Sequence, residues 1–162
     1  MFTGQKGFYS ESHIPDADDW YGRSKWLGEV GAPHLTLRTS IIGHELGAPH
    51  SLISWFLAQS GSVRGFRNAV FSGLPTVELA RIIHKYVLPN LSLQGLYHVA
   101  SAPISKYDLL SLVSKFYGKD IDITPCDNVM INRSLDGKRF STTTGYEAPP
   151  WPELIRRMEV FR

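Results

Sequence analysis

The sequence predicts an α/β fold whose doubly wound, Rossmann-like parallel sheet is incomplete. Strand patterns alternate with helix patterns along the chain, without internal repeats or low-complexity segments. Such alternation is typical of parallel strands joined by helical crossovers. No strand–helix–strand unit precedes the first predicted strand, so we expect the sheet to lack its N-terminal half.

The first third of the chain predicts a loop, a capped helix, a buried strand and a second helix. Residues 4–15 are rich in Gly, Ser and Pro and predict a loop, and the carboxylates within residues 16–19 predict the cap of a first helix. Residues 35–42 are short and rich in branched side chains, so they predict a buried strand. Residues 51–59 predict a second helix. Its apolar stripe would consist of Leu52, Trp55 and Phe56.

The middle of the chain predicts a short strand over residues 70–72 and its clearest helix over residues 76–88. Thr76 is the expected cap of this helix and Pro89 its stop. The inner face would consist of Val77, Leu79, Ala80, Ile83 and Val87.

The last third predicts a strand over residues 96–100 and a helix over residues 105–117. A Ser caps the start of this helix and Gly118 follows its end. Residues 121–124 predict another short strand. Pro152 is expected to open the final helix.

The most informative pair of side chains is Tyr21 and Lys25. Tyr21 is the one Tyr of the chain that has a Lys four residues later, and this spacing places both on one face of a helix. A cation close to a Tyr favours the phenolate form, which suits the group to proton transfer. The alternative is an exposed helical turn with an ordinary Tyr and a solvated Lys.

Composition and charge exclude several classes. The formal net charge of +2 is too small to indicate nucleic-acid binding. The single Cys126 allows no internal disulfide, which fits a reducing cytoplasm. No apolar run approaches the roughly 20 residues needed to cross a bilayer. We expect His44 and His50 to lie in loops rather than to bind a metal, and we expect no metal site.

Short motifs along the whole chain resemble those of the extended short-chain dehydrogenase/reductase family, in particular its dTDP-4-dehydrorhamnose reductase-like members. The segments that carry this resemblance are, in order, Phe2-Thr3-Gly4, Tyr9-Ser10-Glu11, Tyr21 with Lys25, Leu37-Arg38-Thr39-Ser40-Ile41-Ile42-Gly43, the run from Phe71 to Ala80, the run from Gly95 to Ala100, Arg133-Ser134-Leu135-Asp136, and the run from Thr144 to Trp151.

The resemblance implies a domain organisation. Residues 1–48 would be the C-terminal part of the Rossmann core with the Tyr-x-x-x-Lys helix, and residues 95–118 the last core strand and helix. Residues 49–94 and 119–162 would form a small α/β substrate-binding region.

The glycine-rich turn that holds a dinucleotide pyrophosphate does not occur in the chain. Neither Gly-x-Gly-x-x-Gly nor Gly-x-x-Gly-x-x-Gly is present. In the family this turn lies N-terminal to all of the motifs found here, and so does a third catalytic Ser or Thr. We therefore expect the chain to be the C-terminal half of a reductase, with little or no activity alone.

The resemblance implies a catalytic role for Tyr21 and Lys25. Tyr21 would donate a proton to the carbonyl oxygen of a keto sugar while NADPH or NADH supplies hydride. Thr39, Ser40 and Ile41 would flank the nicotinamide and the substrate. Ile41 stands where rhamnose-pathway reductases commonly have Trp, and His13-Ile14 where they usually have Asp-Pro, so the sugar is left open.

Substrate binding would fall mainly to the later part of the chain. Arg64 and Arg67 are spaced to meet a diphosphate, since a guanidinium binds phosphate oxygens with paired hydrogen bonds. Their alternative is a solvated basic loop. Arg133 is another candidate for phosphate binding, with a surface ion pair to Asp136 as the alternative. Two further cleft residues implied by the resemblance are Phe71 and Ser72.

The implied function is reduction of a nucleotide-linked 4-keto-6-deoxy sugar. Two alternatives stay open: a non-catalytic regulatory or sugar-nucleotide-binding subunit, and a sugar-nucleotide epimerase that uses the same Tyr and Lys. The expected partners are the nucleotide sugar and either a second copy of the chain or the missing N-terminal half. Neither nucleic acid nor a membrane is expected.

Overall fold

The computed structural model describes residues 1–45 and 51–161. The predicted α/β fold is confirmed, because short strands alternate with helices along the chain. The helices are α1 Trp20–Leu27, α2 Leu52–Ala58, α3 Thr76–Ile82, α4 Lys106–Tyr117, α5 Lys138–Thr144 and α6 Trp151–Val160. The strands are β1 Leu35–Arg38, β2 Ile41–Ile42, β3 Ser62–Phe66, β4 Ala69–Phe71, β5 Leu74–Pro75, β6 Gly95–His98, β7 Ile104–Ser105, β8 Asp122–Cys126 and β9 Ile131–Asn132.

The strand pairings are mostly parallel. β1 pairs with β6, from Leu35 opposite Gly95 to Arg38 opposite His98, and β2 pairs with β5. β3 pairs with β8, while β4 lies between the antiparallel β7 and the parallel β9. Within residues 1–45 and 51–161, β1 has β6 as its one strand partner. The core sheet is therefore incomplete, as the sequence predicted.

Two of the predicted helices, α4 and α6, supply much of the core. Ser105 caps α4 with its hydroxyl on the amide of Asp108, and Gly118 ends the helix in the left-handed region at a φ of 61°. α6 begins next to Pro152 and packs against α4. The fully buried side chains include Phe56, Leu109, Leu110, Val113, Leu154 and Ile155.

The strand predicted over residues 35–42 is two strands. β1 ends at Arg38 and β2 begins at Ile41, so Thr39 and Ser40 lie in a break between them. The first three residues of β1 are half-buried rather than buried. A strand inside a parallel sheet is covered by neighbours on both edges, and β1 is paired along one edge.

The prediction for α3 was wrong in two respects. Thr76 is its first helical residue and not its cap, and the Thr76 hydroxyl donates to the carbonyl oxygen of Ile42. The buried face is formed by Glu78 and Ile82, whereas Ala80 and Ile83 are exposed. A π-helical turn at Ile83–Val87 follows α3, which changes the periodicity on which the predicted face depended.

The buried face of α3 includes a carboxylate, that of Glu78. Glu78 accepts a hydrogen bond from Arg157 on α6 at 2.5 Å and another from the hydroxyl of Tyr146. A charged side chain is buried in this way when it is paired. Burial, assisted by the charge of Glu78, raises the pKa of the Tyr146 phenol well above its usual value.

Several further details differ from the sequence predictions. In α2 the buried residues are Ile53 and Phe56, while Trp55 is 37% exposed. The strand predicted over residues 121–124 runs as far as Cys126. Five elements were not predicted, because four are strands whose partners lie far away in sequence and one is a helix poor in apolar residues. They are β3, β5, β7, β9 and α5.

Candidate active site

α1 begins where the chain packs tightly against its own N-terminal segment. Asp19 caps the helix, and its carboxylate accepts a hydrogen bond from the amide of Gly22 at 2.6 Å. A Cβ at Gly22 would lie 2.4 Å from the Cβ of Ala17 and 2.9 Å from the nitrogen of Met1. Glycine is therefore required next to Tyr21, since a larger residue would push α1 away from this segment.

Tyr21 and Lys25 project from the same face of α1, as their spacing predicted. The Nζ atom of Lys25 lies 5.4 Å from the centre of the Tyr21 ring, within the range of a cation–π contact. Tyr21 is 73% exposed. The phenol can therefore reach a ligand, with a positive charge beside it.

This face of α1 opens on a cleft of about 660 Å³. Thr39 and Ser40, in the break between β1 and β2, and Ile41 after it also line this cleft. The cleft thus brings together both predicted catalytic residues and all three residues predicted to flank a nicotinamide.

Arg133 also lines the cleft. Its Nε atom donates to the carbonyl oxygen of Thr3. In the part of the chain that the structure describes, Arg133 makes no ion pair with Asp136. The surface ion pair with Asp136, which was the alternative role for Arg133, is therefore not formed.

The other four predicted substrate residues do not line the cleft. Arg64 lies exposed on β3. Arg67 pairs with Asp127 on the surface, and hydrogen bonding from Arg67 lowers the pKa of the Asp127 carboxyl. Phe71 contacts the ring of Trp151, with 5.8 Å between ring centres.

Ser72 makes a structural contact beneath the cleft. It is 2% exposed, and its hydroxyl oxygen accepts a hydrogen bond from the amide of Leu135. Leu135 lines the cleft. Ser72 therefore supports one wall of the cleft without reaching it.

A charged network that the sequence patterns did not predict adjoins the cleft, and its members Glu29 and Arg38 line the cleft. Arg38 is 6% exposed and pairs with the Glu29 carboxylate. His98 is fully buried beside it: its Nδ1 atom contacts the carbonyl oxygen of Tyr9, and its amide donates to Glu11. Burial lowers the pKa of His98, against the opposing effect of the Glu11 charge. The signal in the sequence was the Arg at the end of an otherwise uncharged strand.

The cleft fits one end of a nicotinamide nucleotide. Ile41 is 55% exposed and offers an apolar surface, while the hydroxyls of Thr39 and Ser40 and the ammonium of Lys25 can bind ribose hydroxyls. A site for the pyrophosphate would need closely spaced glycines at a helix N-terminus. The chain does not contain that sequence.

Two other classes of site are not found in the described part of the chain. Among residues 1–45 and 51–161 no group of three or more His, Cys, Asp or Glu could hold a metal ion. No helix within the same residues is both long and apolar enough to cross a membrane. His44 contacts the hydroxyl of Tyr117, and His50 lies outside the described residues.

The chain is similar in structure to solved sugar-nucleotide enzymes. It matches a dTDP-4-dehydrorhamnose reductase from Bacillus anthracis, crystallised with NADP, with a TM-score of 0.83 at 18% identity over 99% of this chain and 62% of that one. A hypothetical dTDP-4-dehydrorhamnose reductase from Sulfolobus tokodaii matches at 26% identity and a TM-score of 0.72, over 93% and 58%. A dTDP-glucose 4,6-dehydratase from Bacillus anthracis, crystallised with NAD, matches at 13% and 0.71, over 98% and 56%.

The chain shares the fold of these enzymes. The resemblance that its motifs suggested is confirmed at the level of the fold, and the chain spans about 60% of the length of the enzymes that it matches. Two of these enzymes were crystallised with NADP or NAD, and the three include a dehydratase as well as reductases, so the fold does not choose among their reactions. No protein-family model matches the sequence, and neither does any curated protein.

Proposed function

We propose that the chain is the C-terminal part of an NAD(P)H-dependent reductase of nucleotide-linked 4-keto-6-deoxy sugars. Tyr21 would be the proton donor to the keto oxygen. The observation that carries this proposal is the placement of Tyr21 and Lys25 on one face of α1, with 5.4 Å between the Lys25 nitrogen and the Tyr21 ring centre. The presence of Thr39, Ser40 and Ile41 in the lining of the same cleft supports it.

The proposed chemistry is a carbonyl reduction. A bound nicotinamide supplies the hydride for the carbonyl carbon. Tyr21 donates its proton to the carbonyl oxygen, so that the developing negative charge is neutralised as it forms. Lys25 stabilises the phenolate that remains on Tyr21 through its nearby positive charge. The exposed phenol then regains a proton from water.

The residues that bind the two reactants follow from their places around the cleft. Tyr21, Lys25, Thr39, Ser40 and Ile41 would hold the nicotinamide end of the cofactor. For the nucleotide sugar we propose Arg133 as a phosphate ligand, because it lines the same cleft.

We propose four further residues as substrate ligands, on the basis of the resemblance alone. None of them lines the cleft as it stands, so their roles require a substrate that extends beyond it. They are Arg64, Arg67, Phe71 and Ser72.

The setting of the enzyme is also a proposal. NADPH or NADH would be the cofactor. We propose that the chain acts with the N-terminal part of a Rossmann core or as a homodimer, in the cytoplasm. The open edge of β1 and the exposed apolar residues of α1 support a partner. The single cysteine supports a reducing compartment.

The test is substrate-dependent oxidation of NADPH by the full-length protein, followed by absorbance, with a dTDP-4-keto-6-deoxy sugar. A reductase oxidises one NADPH for each sugar reduced. An epimerase retains oxidised cofactor through purification and shows no net oxidation. A regulatory subunit binds the sugar nucleotide without turnover. Either of the last two results would overturn the proposal.

A further inference from the structure

The helix that carries Tyr21 and Lys25 has little apolar contact with the rest of the protein. Gly22 is its one buried residue. Trp20 is 87% exposed and Leu27 is 83% exposed. An eight-residue helix is too short to be stable without tertiary contacts. The direction in which its side chains point must therefore be set by contacts at its two ends.

The N-terminal end is held by the Asp19 cap and by the close approach of Gly22 to Ala17. These contacts fix where α1 begins. They do not fix the angle of the helix, because a single anchored end leaves it free to pivot.

The C-terminal end is held by a partly buried ion pair, in which Arg38 is buried and Glu29 is half-buried. Glu29 follows Gly28, the residue that ends α1. Its two carboxylate oxygens accept hydrogen bonds from Nε and Nη2 of Arg38 at 2.5 Å and 2.7 Å. Such a paired geometry is directional as well as strong.

Arg38 is in turn fixed within the core. Its guanidinium lies 5.7 Å from the centre of the Phe2 ring, and its Nη1 atom is 3.3 Å from Nε2 of His98. Because Nδ1 of His98 is close to the Tyr9 carbonyl oxygen, Nδ1 is assigned as the donor and Nε2 as the acceptor. Arg38 is also the last residue of β1, directly before the cleft residues Thr39 and Ser40.

We propose that Glu29 and Arg38 are positioning residues that set the angle of α1 and hold Tyr21 and Lys25 against the cleft wall formed after β1. Glu29 and Arg38 themselves also line the cleft; the role proposed for them is to act through the helix and the strand that they join. The proposal rests on the proposed function only for the catalytic meaning of Tyr21 and Lys25, since the mechanical role concerns α1 itself.

Limited trypsin digestion tests the mechanical role, because Arg23 and Lys25 are exposed cleavage sites on α1. Glu29→Gln keeps the shape of the side chain and removes its charge. Arg38→Lys keeps the positive charge and removes the guanidinium that binds both carboxylate oxygens. Both variants should raise cleavage after Arg23 and Lys25 by about tenfold or more, since cleavage follows the population of the opened segment. Cleavage at Lys85 and Lys106 should not change.

The matched control is Asp127→Asn, which removes the exposed ion pair with Arg67 and should leave cleavage within α1 unchanged. Unchanged cleavage of α1 in Glu29→Gln and Arg38→Lys would overturn the proposal. A uniform increase at all sites would overturn it as well, because the pair would then stabilise the whole fold and not the helix.

The full-length enzyme gives a second readout. A positioning role predicts that Glu29→Gln lowers kcat with little change in KM, because misplacement of the proton donor affects the transition state more than substrate binding. A rise in KM with kcat unchanged would contradict the role. If the wild-type protein does not oxidise NADPH, the proposed function fails, while the digestion still decides whether the pair holds α1.

Discussion

At the residue scale, the buried charged groups have the most specific surroundings. His98 is fully buried and is faced by Arg38 and Glu29 on one side and by Glu11 and the Tyr9 carbonyl on the other. A neutral imidazole satisfies both neighbours by donating from Nδ1 and accepting at Nε2. Protonation would place a second cation beside Arg38.

The buried imidazole predicts a loss of stability in acid. Burial lowers the pKa of His98 below its ordinary value of 6.5, so the unfolded chain binds this proton more readily than the folded one. The His98 contribution to the free energy of unfolding is therefore full above that value and is lost as the pH falls through it.

Urea unfolding of the wild type and of His98→Asn, at about pH 7.5 and about pH 5.5, measures this contribution. Asn keeps a donor for the Tyr9 carbonyl but does not titrate. The wild type should lose more unfolding free energy than the variant on acidification. Equal losses would show that His98 is not the titrating group, since Glu11 and Glu29 are present in both proteins.

At the scale of elements, two capped helices differ in how they are held. α4 buries Leu109, Leu110 and Val113 in the core, whereas α1 buries Gly22 alone. The same loss of a capping hydrogen bond should therefore have different consequences for the two helices.

Removal of each cap tests this difference. Asp19→Ala and Ser105→Ala should each cost about 1 kcal/mol. Because α1 can open alone, Asp19→Ala should speed amide exchange within residues 22–27 with little change in the thermal midpoint. Ser105→Ala should lower the midpoint of the whole protein, since α4 opens only when the core does. A lower global midpoint in both variants would contradict the local opening of α1.

The elements also show what the sequence could predict. Local signals were enough for α1 and α4, because Asp19, Ser105 and Gly118 act on neighbouring residues. The same signals placed Tyr21 and Lys25 on one face. They failed for Glu78, Arg38 and His98, since each is buried by partners between 9 and 89 residues away in the chain. A charged residue within an apolar sequence pattern indicates a buried charge, but the pattern does not predict which distant residue pairs with it.

At the scale of the whole molecule, the cleft lies beside β1, which pairs with β6 alone among the strands of residues 1–45 and 51–161. The chain spans about 60% of the solved enzymes that share its fold. The residues that we propose for the nicotinamide end of a dinucleotide line its cleft, and its sequence has no glycine-rich turn for the pyrophosphate. The ligands proposed in this chain are therefore for the nicotinamide end of a cofactor and not for its pyrophosphate.

Titration calorimetry of the 162-residue chain tests whether this chain binds the pyrophosphate of the cofactor. NADPH should bind weakly, with no heat at micromolar concentrations, because the pyrophosphate gains no backbone amides from the chain. Reduced nicotinamide mononucleotide, which lacks the adenylate half, should bind about as weakly as NADPH. Micromolar binding of NADPH would show that the chain holds the pyrophosphate by another route.

The central claim is that the Tyr21 phenol supplies the proton for carbonyl reduction. The most direct measurement compares kcat for NADPH oxidation with a dTDP-4-keto-6-deoxy sugar in the full-length protein and its Tyr21→Phe variant. Tyr107→Phe makes the same chemical change outside the cleft and serves as the control. We predict that Tyr21→Phe lowers kcat by about 100-fold or more, while Tyr107→Phe retains the wild-type rate. Equal rates for the wild type and Tyr21→Phe would contradict the claim.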